Sequence, residues 1–287
     1  MSTRYEYKTG HLTKEVLKED YQTLKSIRKI AIKYNVHHST ISALLQKFQI
    51  DYKPRTRTKN NNIFSEENET SFYLAGFIAA DGNVCHHKSN YDLCIGLSAK
   101  DEKHLIKLHD LLESNSSIRT YENNSYINGK NIKSTIKAFT VCSKQIYEDL
   151  NNNFLITPNK SLTLKFPEHL SNHPMIHHFI RGYFDGDGSW IIRNPTIKNK
   201  QSKINICFSI MGTNHFVISL NNILHSHLNL PNNTISQTKN VFRLRYSGNR
   251  LSSVIGDWIY KDATIFLERK YDRYLMAKSL YGIQYGH

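Results

Sequence analysis

The sequence predicts an α+β protein: two pseudo-symmetric halves of the order αββαββα, preceded by a small all-α segment. Three observations carry this. A short glycine-bearing motif occurs twice, as FYLAGFIAADG (Phe72 to Gly82) and FIRGYFDGDGS (Phe179 to Ser189). The same succession of alternating and helix-periodic segments follows each copy. Ahead of both lies a stretch whose apolar residues keep helical spacing alone.

That first stretch spans residues 12 to 52. Ile27, Ile30, Ala31 and Tyr34 hold the i, i+3, i+4, i+7 pattern of a helix. Asn35-Val36-His37 breaks it, with Val36 filling an elbow. His38 or Ser39 can cap a second helix reaching Lys47, with Ile41, Leu44, Leu45 and Phe48 inward. The segment SIRKIAIKYNVHHSTISALLQKF resembles the helix-turn-helix of small DNA-binding modules in recombinases and transposases. The resemblance implies a DNA-binding domain over residues 1 to 52. Its second helix would enter a major groove, with Ser39 and Thr40 as contacts. Residues 53 to 70 contain the basic, Asn-rich run KPRTRTKNNN and are expected to form a linker able to follow a DNA backbone.

The two halves occupy residues 71 to 170 and 171 to 287. After the first motif, Leu93, Ile95 and Leu97 alternate within YDLCIGLS. After the second, Ile204, Ile206, Phe208 and Ile210 alternate within KINICFSI. Both read as strands with one buried face. Helical stretches follow at His104 to Ser114 and His215 to Leu228. A second strand pair comes next, with Asn128-Gly129 as a hairpin turn in the first half and VFRLRYS (Val241 to Ser247) in the second. Helices at Ser143 to Phe154 and Asn249 to Tyr260 close the halves.

Charge bounds the partner. Lys and Arg number 38 against 24 Asp and Glu, a net +14 over 287 residues. Such an excess points to a polyanion, nucleic acid first. No apolar run is long enough to span a bilayer, so no membrane partner is expected. The polar start MSTRYEYKTG lacks a signal-peptide core. An intracellular place is expected: cytoplasm, nucleoid, organelle or phage-infected host. Cys94, Cys142 and Cys207 sit in apolar strand-like runs and are expected to be buried thiols; with Cys85 they form no C-x-x-C pair.

The motif itself asks for a helix interface. Ala75, Gly76, Ala79 and Ala80 in one copy, and Gly182 and Gly186 in the other, place small residues at i, i+4. That spacing lets two helix backbones approach closely. Each helix then ends in an acid, Asp81 or Asp187, just before a glycine, the usual helix stop. An acid at a helix C-terminus is electrostatically unfavourable, and two side by side are worse. A divalent cation relieves this, and Asp with water and phosphate oxygens suits Mg²⁺ or Mn²⁺. Ions so held can activate water and stabilise a leaving oxygen in phosphodiester cleavage.

LAGFIAADG and IRGYFDGDG resemble the paired motifs of LAGLIDADG homing endonucleases, over about residues 71 to 280. The resemblance implies a metal-dependent endonuclease acting on a long, asymmetric double-stranded DNA site. It implies a monomer whose two sheets form a saddle over the duplex. Asp81 and Asp187 would be the metal-binding acids. Asp185, with Ala79 opposite it, would serve packing or a polar contact at the helix end. Lys160 and Lys270, at similar distances after the acids, would face the scissile phosphates, with Arg269 as the alternative to Lys270. Arg243 and Arg245 share one face of their strand. With Lys198, Lys200 and Lys203, and with Lys130, Lys133 and Lys137 in the first half, they are the expected DNA contacts. Two alternatives stay open: an intron maturase with intron RNA as partner, and a non-catalytic transcription regulator.

Overall fold

The computed structural model describes residues 11–52, 57–127, 130–193, 196–197, 200–201 and 205–285. The chain divides into two compact units, Met1–Thr56 and Arg57–His287.

Among its described residues, the first unit has three short helices. α1 (Lys14–Leu24), α2 (Ile27–Lys33) and α3 (His38–Lys47) start on Thr13, Ser26 and His37, whose side chains accept from the N–H groups of Val16, Lys29 and Ser39. The cap of α3 is thus His37, not the expected His38 or Ser39. Its ring Nδ1 accepts from Ser39 N at 3.4 Å. Leu17, Ile30, Ala31, Ile41, Leu44 and Leu45 form the core, with Val36 and Phe48 packed against it.

The second unit starts earlier than the expected domain boundary. The stretch over residues 57–70 is no free tether. Thr58 N donates to Asn115 Oδ1 at 3.1 Å, and Ile63 and Phe64 are buried in the main core. Those two apolar side chains were hidden behind a basic, Asn-rich run. Asn68 and Ser71 form a reciprocal capping box that starts α4 (Glu69–Asp81).

β1 (Gly82–His87) leaves α4 with no loop and pairs with β2 (Asn90–Ser98). α5 (Glu102–Leu111), β3 (Arg119–Ile127), β4 (Lys130–Cys142) and α6 (Lys144–Phe154) complete the half. The register Ile127↔Lys130 fits a hairpin there, while its turn residues Asn128 and Gly129 lie outside the described residues. The second half repeats the order. α7 (Ile176–Asp187) runs into β5 (Gly188–Arg193), then a short extra pair, β6 (Thr196–Ile197) and β7 (Lys200–Gln201), then β8 (Asn205–Gly212). α8 (Asn214–Leu228), β9 (Ser236–Thr238), β10 (Val241–Ser247) and α9 (Asn249–Ile259) follow. A last helix, α10 (Glu268–Tyr285), was not foreseen; its polar, Tyr-rich sequence shows no strong apolar stripe.

The sheets are antiparallel, with matching strand orders β1-β2-β4-β3 and β5-β8-β10-β9. Strand alternation sends Leu93, Ile95, Leu97, Phe139 and Val141 into the core of the first half. Ile206, Phe208, Ile210, Leu244 and Tyr246 do the same in the second. The same alternation corrects the cysteines. Only Cys207 is buried, although it shares the outer parity of its strand; Cys85, Cys94 and Cys142 are half-buried free thiols on the outer face of the first sheet. An apolar run had concealed which parity faced inward.

α4 and α7 make the most extensive helix–helix contact among the described elements. Gly76 and Gly182 sit at its centre. A Cβ on Gly76 would lie 1.9 Å from Phe179 O, and one on Gly182 would lie 2.0 Å from Tyr73 O. The backbones touch, and no side chain fits between them. Gly186 would meet Ala80 Cβ at 2.3 Å.

Gly82 and Gly188 end their helices as expected, but not through a left-handed backbone. Both have extended backbones, with φ −79° and −97°. They are glycines because a Cβ would strike the preceding turn, Ile78 Cγ2 at 2.7 Å or Phe184 Cδ2 at 2.1 Å. The helix can thereby pass straight into the strand.

Gly182→Ala is expected to lower stability by about 1–3 kcal/mol or more, since helix backbones cannot yield as a side chain can. Thermal unfolding measures this. An unchanged melting temperature would mean that the helices are not in backbone contact.

Candidate active site

The two helix ends bring Asp81 and Asp187 to one place. A Cβ on Gly186 would lie 3.3 Å from Asp81 Cγ and Oδ2, so the Asp81 carboxylate rests against the last turn of the opposite helix. Asp81 is open to solvent and Asp187 is half-buried. The Asp187 carboxyl is pushed up to about 6, first by loss of hydration and then by the Asp81 charge. Asp81 is raised as well, by loss of hydration, against the pull of Lys270 and Lys160.

Lys160 and Lys270 occupy matching positions. Lys160 Nζ donates to Ala80 O at 3.1 Å, at the end of α4. Lys270 Nζ donates to Phe184 O and Asp185 O, both at 2.7 Å, at the end of α7. Each ammonium thus caps the helix that carries its half's acid and offsets the negative end of that dipole. Both are buried. Burial lowers both; for Lys270, to about 8.

Arg269 is not an alternative to Lys270. Its guanidinium grips Asp101 in the first half through Nε at 2.7 Å and Nη2 at 3.0 Å. Further ties across the halves hold α10 in place. Asp185 Oδ2 accepts from Tyr73 OH at 2.8 Å and from Leu267 N at 2.7 Å. This is the packing and polar role expected of Asp185. The fully buried Arg181 donates to Glu69 Oε1 at 2.5 Å, and Glu69 also accepts from Thr264 and Ile265 N–H groups at 2.7 and 3.0 Å. Sequence reading missed Glu69, Tyr73, Arg181 and Asp101. A buried Arg and Asp inside or beside the repeated motif was the available signal.

Beside the acids lies a cavity of about 480 Å³, lined among others by Lys160, Asp187, Tyr183, Thr213 and Arg243. Tyr183 donates to Met211 O at 3.0 Å and stacks on Phe216.

The expected DNA contacts divide. Arg243 and Arg245 are half-buried on the outer face of the second sheet, opposite the buried Leu244 and Tyr246. Lys137 is not on the outer face of the first. It shares the inner parity of Phe139 and Val141 and hydrogen-bonds Glu102 of α5. By strand alternation the exposed Lys133 shares that side. A strand flanked by lysines carries no phase in its sequence, so the side these lysines take was not legible there. Lys198 and Lys203 lie outside the described residues, and of Lys130 and Lys200 only the backbone is described. Ser39 is exposed and Thr40 half-buried at the start of α3.

The donors present fit a hard cation. Two carboxylates meet at an edge open to solvent, and the Asp81 charge raises the cost of ionising Asp187. Among the described residues no cluster of three or more His, Cys, Asp or Glu could hold a metal. Two carboxylates leave the remaining positions to water and phosphate oxygens, as Mg²⁺ prefers.

By sequence, no family model and no curated protein matches the chain. Solved structures match its fold. The homing endonuclease I-WcaI bound to its DNA recognition sequence aligns with a TM-score of 0.50 at 16% identity, covering 79% of this chain and 97% of that one. The meganuclease I-SmaMI bound to uncleavable DNA aligns with a TM-score of 0.51 at 13% identity, covering 75% and 91%. The chain has the LAGLIDADG homing-endonuclease fold. Within this fold, Asp81 and Asp187 are the final residues of the paired motif helices.

The raised Asp187 carboxyl has a consequence for stability. A carboxyl with a higher pKa in the folded state favours folding when protonated. That contribution is present below the unfolded value of about 4 and is lost as pH rises through about 6. With a chelator present, Asp187→Asn should therefore melt above the wild type at about pH 8, and the gain should vanish near about pH 4. A variant melting at or below the wild type at the higher pH would show that the Asp187 charge carries no folding cost.

Proposed function

We propose that this chain is a site-specific homing endonuclease that hydrolyses a long, asymmetric double-stranded DNA target with a divalent cation. The observation that carries the reading is the meeting of Asp81 and Asp187 at adjacent ends of two helices in backbone contact. Asp81 and Asp187 would hold Mg²⁺ or Mn²⁺, which supplies Lewis-acid activation of water and of the phosphodiester.

The protein's own groups would do the rest. Lys160 lines the same cavity as Asp187 and already holds the end of α4, so its charge is fixed before substrate arrives. Lys270 does the same at α7. A fixed ammonium favours the extra negative charge of the pentacoordinate phosphate without reorganising. Arg243 and Arg245 would contact the duplex from the second sheet. The net charge of +14 supports a polyanionic partner. The first unit would add contacts outside the saddle as a helix-turn-helix, with Ser39 and Thr40 at the leading end of α3. Unlike halves in one chain suit an asymmetric site and a monomer. No helix among the described residues is long and apolar enough to cross a membrane.

The test is a cleavage selection on a randomised double-stranded DNA library with Mg²⁺. The wild type should recover one long asymmetric site, and the Asp81→Asn, Asp187→Asn variant should bind that site without cutting it. A chain begun at residue 57 should recover a shorter site and cut it. Cutting by the double variant would remove the acids from the mechanism. Binding without cutting by the wild type would make the chain a regulator, and affinity for structured intron RNA alone would make it a maturase.

A further inference from the structure

The outer face of the first sheet carries chemistry that the carboxylate pair does not use. Across β1, β2 and β4 the register places Cys85, Asp92 and Cys142 in one row, and Asn83, Cys94 and Thr140 in the next. Gly96 pairs with Ala138, and Ser98 with Ile136. A Cβ on Gly96 would lie 3.3 Å from Ala138 Cβ and 3.6 Å from Ile136 Cγ2. Those side chains therefore rise from the face where Gly96 has none. Cys94, Gly96 and Ile136 are half-buried, and Thr140 is exposed. Among the described side chains, Asp92 and Arg119 are the charged groups on this face. The result is a shallow apolar notch. The second sheet differs: the matching strand β10 presents Arg243 and Arg245.

We propose that the first sheet reads thymine in its half-site, seating the C5-methyl group in the notch formed by Cys94, Gly96, Ile136 and Ala138. The inference rests on the DNA-cutting reading above. The face is continuous with the candidate active site, because β1 begins at Gly82, directly after Asp81. The net charge of +14 suits a polyanion, yet this patch is apolar, so here it meets something other than phosphate. In the major groove the thymine methyl is the apolar group on offer. A glycine inside a strand permits close approach of a bound group. Arg243 and Arg245 match guanine instead, through its O6 and N7 acceptors. The two half-sites would then differ in base preference because the two sheets differ in chemistry.

The experiment takes the site recovered by selection and replaces thymine with deoxyuridine, one half-site at a time. Uracil keeps the pairing and loses only the methyl. In the half-site bound by the first sheet, loss of the seated methyl should weaken equilibrium binding by roughly four-fold. Arg243→Ala identifies the other half-site, where it should relax base preference. Ile136→Ser, on the outer face, should bind the thymine and uracil sites alike. Equal wild-type affinity for both sites, or full thymine preference in Ile136→Ser, overturns the proposal and leaves the nuclease reading standing. If no site is cut, the nuclease reading fails, and the thymine comparison is run on the site recovered by binding.

Discussion

Two glycines facing two carbonyls set the geometry of this molecule. Gly76 lies under Phe179 O and Gly182 under Tyr73 O, each with no room for even one carbon. Only this approach lets α4 and α7 end side by side. The rest follows from it. Each helix hands its chain directly to the first strand of its sheet, so the sheets are fixed relative to the helix ends. Each sheet then carries its own helices on one face and leaves the other available. An architecture of two unlike halves thus depends on a contact that side chains do not make.

That contact brings together groups that repel. Two carboxylates and two helix C-termini share a small space, and hydrogen bonds elsewhere hold them there. Lys160 and Lys270 cap the carbonyls of the last turns. Asp185 ties Tyr73 of one helix to Leu267, just before the helix that carries Lys270. Arg269 and Asp101 join the same helix to the first half, and Arg181 of α7 ties that helix to Glu69 at the start of α4. Breaking one member of a buried ion pair such as Arg181–Glu69 costs about 3–5 kcal/mol. Several such ties can therefore hold an arrangement that its acids alone would push apart. A site whose own charges oppose folding is what one expects where a cation is to bind.

Much of this was legible in the sequence because the repeat is internal. The twice-written motif, with alternating strands after each copy, revealed both halves, the helix pair and its two acids. Gly82 and Gly188 were placed correctly but for the wrong reason. Sequence identifies a glycine, whereas only coordinates show whether it serves backbone conformation or space. Parity was the main loss. Cys94 and Cys142 were sent to the wrong face, and the side taken by Lys137 was not legible, since a strand rich in both apolar and basic residues fits either phase. The buried ties from Glu69 to Arg181 and from Asp185 to Tyr73 join residues more than a hundred positions apart, beyond what periodicity can reveal.

The central claim is that Asp81 and Asp187 act as one cation site. The most direct measurement is the melting temperature of the wild type and of the Asp81→Asn, Asp187→Asn variant across a Mn²⁺ titration. A ligand that binds only the folded state raises its stability, and the gain grows with the logarithm of free ligand above Kd. The wild type should gain with Mn²⁺ and the variant should not. An equal gain in both proteins would place the cation elsewhere and contradict the account.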